Sequence, residues 1–270
     1  MKFQVKTLVA ALALTAATVP AHAAMTSATS GSSSLILTLL DFNSNVSATF
    51  DLGYSYDTFQ DLVNAAGSTG NYTFDLAGGD YANAWTSYWS VASSTNTKWA
   101  VYAADGTGSG AGARGIISTY KSGANLTNSN QLQTSIGNFN TYITQNNGLD
   151  NHNSVENGAS VVTSNLVNSF AGKAVAYGST GRINAQGHVS MNNLDQSMTV
   201  VQQLTGATAA APVAFNTLGN AQGDYTFKMS STGILSFSVP VVTPVPEADS
   251  YAMLLAGLGI VGVIARRRKA

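Results

Sequence analysis

The sequence predicts a mainly β domain with a helical insertion, arranged as an antiparallel β-sandwich. Three observations point there. Apolar residues alternate with polar ones at a period of two in several short runs, the pattern of half-buried strands. Stretches of Gly, Ser, Thr and Asn separate these runs and supply turn chemistry, with 26 glycines among 270 residues. Helical spacing is limited to one short segment, to the aromatic set Tyr81, Trp85, Tyr88 and Trp89, and to a pair of runs between Leu132 and Phe170.

Taken in order, Leu35–Asp41 is a continuous apolar run, followed by the turn-prone Asn43-Ser44-Asn45 and then by the alternating Val46–Phe50. Residues 57–66 read as a short helix stopped by Gly67. Tyr72–Leu76, Lys98–Ala103 and Met198–Leu204 are further strands. Leu132, Ile136, Phe139 and Ile143 share one helical face. A second helix is expected from Asn153, a cap partnered by Glu156, with Val155, Ala159, Val162, Leu166 and Phe170 as its buried stripe. Tyr225, Phe227 and Met229 alternate up to the turn Ser230–Gly233, and Leu235, Phe237 and Val239 alternate back as a hairpin. Residues 24–239 form one domain, long enough to bury a core.

Composition removes several functions. Charged residues are only 9% of the chain and 12 Lys+Arg meet 13 Asp+Glu, so no basic face for nucleic acid is expected. With no cysteine there is no disulfide, thiolate nucleophile or Cys-based zinc site. His152 and His188 lack metal-ligand spacing, and no G-x-S-x-G elbow accompanies them. Asp150–Glu156 suggests calcium but lacks the EF-hand glycine and terminal glutamate, and helix capping explains it better. No catalytic, metal or cofactor residue is therefore expected, and the domain reads as non-enzymatic, with a secreted hydrolase as the weakest alternative. Tyr81, Trp85, Tyr88 and Trp89 are the aromatic cluster. Tyr81, Trp85 and Trp89 suit stacking on sugar rings in a carbohydrate-binding module, while the same residues with Trp99 also suit a core.

The two ends read as addresses. Residues 1–23 have a cationic start at Lys2 and Lys6, an uncharged apolar stretch, Pro20, and small residues at Ala21 and Ala23. This is a secretory signal peptide with signal-peptidase cleavage after Ala23. Residues 240–246, PVVTPVP, form a stiff Pro-rich spacer. Tyr251–Ala265 carries no charge over 15 residues, about 22 Å as a helix, and ends in Arg266, Arg267, Arg268 and Lys269. That basic tail belongs on the cytoplasmic side, leaving the domain across the inner membrane.

Pro246-Glu247-Ala248, the apolar stretch and the Arg-rich terminus together resemble the PEP-CTERM sorting signal of Gram-negative bacteria over residues 245–270. The resemblance implies a substrate of exosortase, held transiently by its transmembrane helix and then passed to the cell surface or the extracellular matrix. It also implies association with exopolysaccharide and biofilm. Pro246, Glu247 and Ala248 would be the recognition motif and Arg266–Arg268 the stop signal. Between residues 24 and 246 there are 6 cations against 11 acids, so the delivered domain carries a net charge of −5.

Overall fold

The computed structural model describes residues 24–65, 71–120, 128–172, 182–183, 189–240, 253, 255–258, 260 and 266–267. The chain divides into two compact units, Met1–Pro240 and Val241–Ala270. In the second unit the described residues are helical, and Met253, Leu255, Leu258 and Ile260 are exposed. Among the described residues no helix is long and apolar enough to cross a membrane.

The first unit is mainly β. Its strands are β1 (Ser34–Asp41), β2 (Val46–Ser55), β3 (Tyr72–Asp75), β4 (Lys98–Asp105), β5 (Gly115–Tyr120) and β6 (Ala159–Thr163). Then come the short β7 (Arg182–Ile183), β8 (Val189–Ser190) and β9 (Asn192–Asn193), followed by β10 (Ser197–Leu204), β11 (Ala214–Thr217), β12 (Gly219–Asn220) and β13 (Gly223–Asp224). The hairpin β14 (Thr226–Met229) and β15 (Ile234–Ser238) closes the unit. Among the described residues of this unit three α-helices accompany them: α1 (Tyr56–Ala65), α2 (Ala82–Trp89) and α3 (Ser129–Asn146).

Eleven strands join one antiparallel sheet in the order β3-β15-β14-β10-β5-β4-β1-β2-β6, with β9 paired to β4 and β11 to β10. The expected sandwich is therefore a single sheet. The strand that decides this is β10, which pairs along one edge with β5 and along the other with β14 and then β11. Its continuous ladder joins what would otherwise be two layers. The sheet curls, because Leu37 and Phe50 from one end share a core with Phe227 and Phe237 from the other. Phe59 of α1 sits inside the curl, its ring 5.8 Å from Phe227 and 5.2 Å from Phe237.

Successive side chains leave a strand on opposite faces. In β1, Leu35, Leu37 and Leu39 enter the curled core, and Ile36 and Leu40 enter a second core under α3. In β4, Trp99, Val101 and Ala103 divide from Ala100, Tyr102 and Ala104 in the same way. With both faces covered, all eight residues of β1 are buried, so its sequence is a continuous run of buried residues. Asp41 holds the turn after β1: its carboxylate accepts from the N–H of Asn43 (2.9 Å), Ser44 (3.1 Å) and Ser93 (2.8 Å).

The helix read from Leu132 to Ile143 is α3, which buries Leu132, Ile136, Phe139, Tyr142 and Ile143. Its cap is Asn128, whose side chain accepts the N–H of Gln131 at 3.0 Å. The second expected helix, from Asn153 to Phe170, does not form. Turns occupy 151–157, and Ala159–Thr163 is strand β6, paired with β2. Asn151 Oδ1 accepts the Ala159 N–H (2.7 Å) and Asp150 Oδ2 accepts the Val161 N–H (2.7 Å), so these side chains start a strand and cap no helix. Of the expected stripe only Ala159 and Val162 lie in β6, and they face opposite cores, so pairing with the edge of β2 overrides the helical spacing. Sequence periodicity also missed β5, a central strand buried on both faces.

Between Ser34 and Ile36 the β1–β2 register shifts by a bulge opposite Leu35. Gly53 lies there at φ 74°, a left-handed backbone that favours glycine. Asp51, Gly53, Tyr54 and Ser55 of this bulged stretch line a cavity described next.

Candidate functional site

Among the described residues, three places gather the polar and aromatic side chains considered first. The first is the cavity beside the bulge, about 250 Å³, lined in part by Ala24, Ser34, Asp51, Tyr54 and Glu156. Asp51 is 5% exposed. Its carboxylate accepts from Ser34 Oγ (3.2 Å) and from the Gly53 N–H (3.1 Å). Burial pushes the Asp51 carboxyl up to about 6, against the opposing pull of those two bonds. The hydroxyl of Tyr81 donates to the Asp51 backbone carbonyl, and its ring meets Phe50 edge-on at 5.7 Å. Between the lining residues Ala24 and Thr26, Met25 is buried and its carbonyl accepts from Asn147 Nδ2 at 2.7 Å.

The second place is the aromatic helix α2. Tyr88 is fully buried and its hydroxyl bonds Thr97 Oγ1 at 2.9 Å. Trp85 and Trp89 are half-buried against the curled core. Their rings meet edge to face, 5.3 Å apart at 71°, so they do not form one flat stacking platform. Tyr81 is likewise half-buried. Trp99, in β4, is completely buried, with its indole N–H donating to the Asn193 carbonyl at 2.9 Å.

The third is a buried polar chain under α3. His152 Nε2 lies 3.1 Å from Ser160 Oγ, and Ser160 donates to Asn146 Oδ1 at 2.9 Å. Ser160 Oγ thus sits between the imidazole of His152 and the amide oxygen of Asn146. His152 is 1% exposed, and burial lowers its pKa to about 4. These bonds tie the turn at His152 and strand β6 to α3. Among the described residues no group of three or more His, Asp or Glu side chains is placed to hold a metal ion.

These places bring together few of the residues singled out in the sequence. Tyr81 links the aromatic helix to the Asp51 cavity, which periodicity could not show. Asp51 itself carried no sequence signal, being one aspartate in an alternating strand. Ala21, Ala23, Pro246, Glu247, Ala248, Arg268 and His188 lie outside the described residues. Arg266 and Arg267 are helical and exposed.

The C-terminal segment is decided by comparison with known families. Residues 244–269 carry the PEP-CTERM protein-sorting motif. The motif spans the tail from Pro244 through Lys269 and leaves the β domain outside the match. It implies export, handling by an exosortase while the C-terminus is anchored at the membrane, and passage to the surface. No curated protein and no solved structure matches the chain.

Proposed function

We propose that this PEP-CTERM protein is a non-enzymatic component of the cell surface or the exopolysaccharide-rich biofilm matrix, delivered by signal peptidase and exosortase. The sorting motif at 244–269 carries the reading. Several features of the domain support it. Among the described residues its two buried acids and its buried histidine all bond within the fold: Asp41 at a turn, Asp51 at a bulge, and His152 to Ser160. Among the described residues the buried set runs from Met25 to Val239, just past β15, and so falls between the two processing signals. Cleavage after Ala23 would free an α-ammonium group on Ala24, beside the Asp51 and Glu156 carboxylates of one cavity.

Intact mass of the protein recovered from the cell surface tests this reading. A species that starts at Ala24 and lacks Arg266–Lys269 is expected. Surface material retaining the Arg-rich tail would replace exosortase processing with a permanent anchor. The carbohydrate-binding alternative draws on the partial exposure of Trp85 and Trp89. Under it, Trp85→Ala lowers polysaccharide retention with little change in melting temperature. Unchanged retention together with a large loss of stability makes the cluster core.

A further inference from the structure

The loop Gly106–Ala113 and the loop Thr205–Ala209 enclose a cavity of about 180 Å³ with Arg114 in its wall. The guanidinium of Arg114 is fixed by two neutral acceptors. Nε donates to the Gly108 carbonyl at 2.9 Å, and Nη1 donates to Gln133 Oε1 at 2.8 Å. An arginine has five N–H donors, so three stay uncommitted on a side chain already held in place. The loop beside it turns through left-handed glycines, Gly108 at φ 81° and Gly110 at φ 107°. A Cβ at Gly110 would meet nothing within 4 Å, so the backbone conformation requires glycine there and crowding does not. Such turns gather successive N–H groups into anion-binding concavities. Among the described residues, the N–H groups of Gly108, Ser109 and Gly110, and of Ala207 and Thr208 across the cavity, donate to no acceptor. The two loops are tied together by the Gly112 N–H to Thr205 carbonyl bond (2.6 Å) and by Thr205 Oγ1 donating to the Gly110 carbonyl (3.0 Å).

We propose that this cavity is a binding site for a single oxyanion headgroup, with Arg114 as its charged anchor and the two loop backbones as its walls. At this volume it takes a carboxylate, sulfate or phosphate group and not a whole drug-sized ligand. The domain's net negative charge gives no long-range steering, so the site depends on short-range donors held in place before the ligand arrives. This site would bind its oxyanion whatever the route of export or the association with matrix.

Titration of the full-length chain in mild non-ionic detergent tests it, at constant ionic strength, with sodium sulfate, sodium phosphate, glucuronate and neutral glucose as probes. At least one oxyanion is expected to bind in the millimolar range or tighter and to shift the amide resonances of 106–114 and 205–209, while glucose does not. The tightest of the three anions identifies the source of the headgroup. Arg114→Gln should weaken binding at least tenfold, with Arg114→Lys intermediate. Ser109→Asp puts a negative charge on an exposed lining residue and should abolish binding at unchanged melting temperature, which keeps the test decisive if Arg114→Gln does not fold. Loop resonances that respond to the oxyanions no more than to chloride, or affinity unchanged in both Arg114→Gln and Ser109→Asp, would overturn the proposal.

Discussion

The two faces of the sheet are built on different principles. Inside the curl, Leu35, Leu37, Leu39, Phe50, Trp99, Phe227 and Phe237 meet α1 and α2 as a largely apolar core. Under α3 the buried set alternates apolar and polar side chains. Thr38, Ser47, Thr49, Ser118 and Ser160 lie buried in the strands there, and Tyr142, Asn146 and His152 complete the set. Hydroxyls of Thr49 and Tyr142 bond each other, and Asn146 Nδ2 donates to the carbonyls of Tyr142 (2.9 Å) and Ser169 (3.3 Å). The curled face draws its stability mainly from apolar area removed from water. The α3 face spends burial on directional bonds that hold a single helix position and register, since a buried donor left unpaired is expensive.

The largest expected effect breaks the curled face. Phe237 packs on Phe59, Tyr72, Tyr225 and Phe227 at centroid distances of 4.9–6.1 Å. Phe237→Ala should cost about 3–5 kcal/mol, read from the urea midpoint. A loss below about 1 kcal/mol would show that the hairpin does not close the core.

A second test sharpens the comparison through pH. His152, lowered to about 4, contributes stability that is full above about 6.5 and lost as pH falls toward 4. Asp51, raised to about 6, contributes stability that is full below its ordinary 3.8 and lost as pH rises through 6. Each swing is roughly 3 kcal/mol and the two oppose, so the unmodified chain should vary little between about pH 4 and 6. Asp51→Asn should leave stability rising with pH, and His152→Gln should leave it falling. Denaturant titrations at both ends of that range decide it, and the same slope sign in both variants would refute the assignment.

A smaller effect separates two tyrosines on the α3 face. Tyr142→Phe removes the partner of Thr49 and should cost about 1–2 kcal/mol. The Tyr102 hydroxyl and its register neighbour Ser118 Oγ are buried with no partner among the described residues. Tyr102→Phe should therefore raise stability by about 1 kcal/mol. Opposite signs of the two shifts in melting temperature are the expected result, and a loss in both variants would mean that Tyr102 has a partner. The smallest change is Asn128→Ala, which removes the α3 cap and should cost about 1 kcal/mol without affecting the curled face.

What could be read before the structure follows from the same contrast. The strands Ser34–Asp41, Thr226–Met229 and Ile234–Ser238 were legible because one alternating or continuous apolar pattern matches one burial pattern. The α3 stripe was legible for the equivalent helical reason. Residues 153–170 misled because Val155, Ala159, Val162, Leu166 and Phe170 keep helical spacing. Their fate depended on β2 needing an edge partner and on Asn151 and Asp150 receiving strand N–H groups. Asp51, His152 and Arg114 were isolated letters, since each gains its environment from residues distant in sequence.

Sequence by itself determined the sorting motif at 244–269, a mainly β body and the α3 helix. These depend on local order, composition and period, which a linear chain already contains. Tertiary structure decided that β10 would merge two layers into one curled sheet, that residues 159–163 would be a strand, and that Arg114 would line a cavity. Each of these is a choice between partners far apart in the chain, and only the folded contacts set its energy.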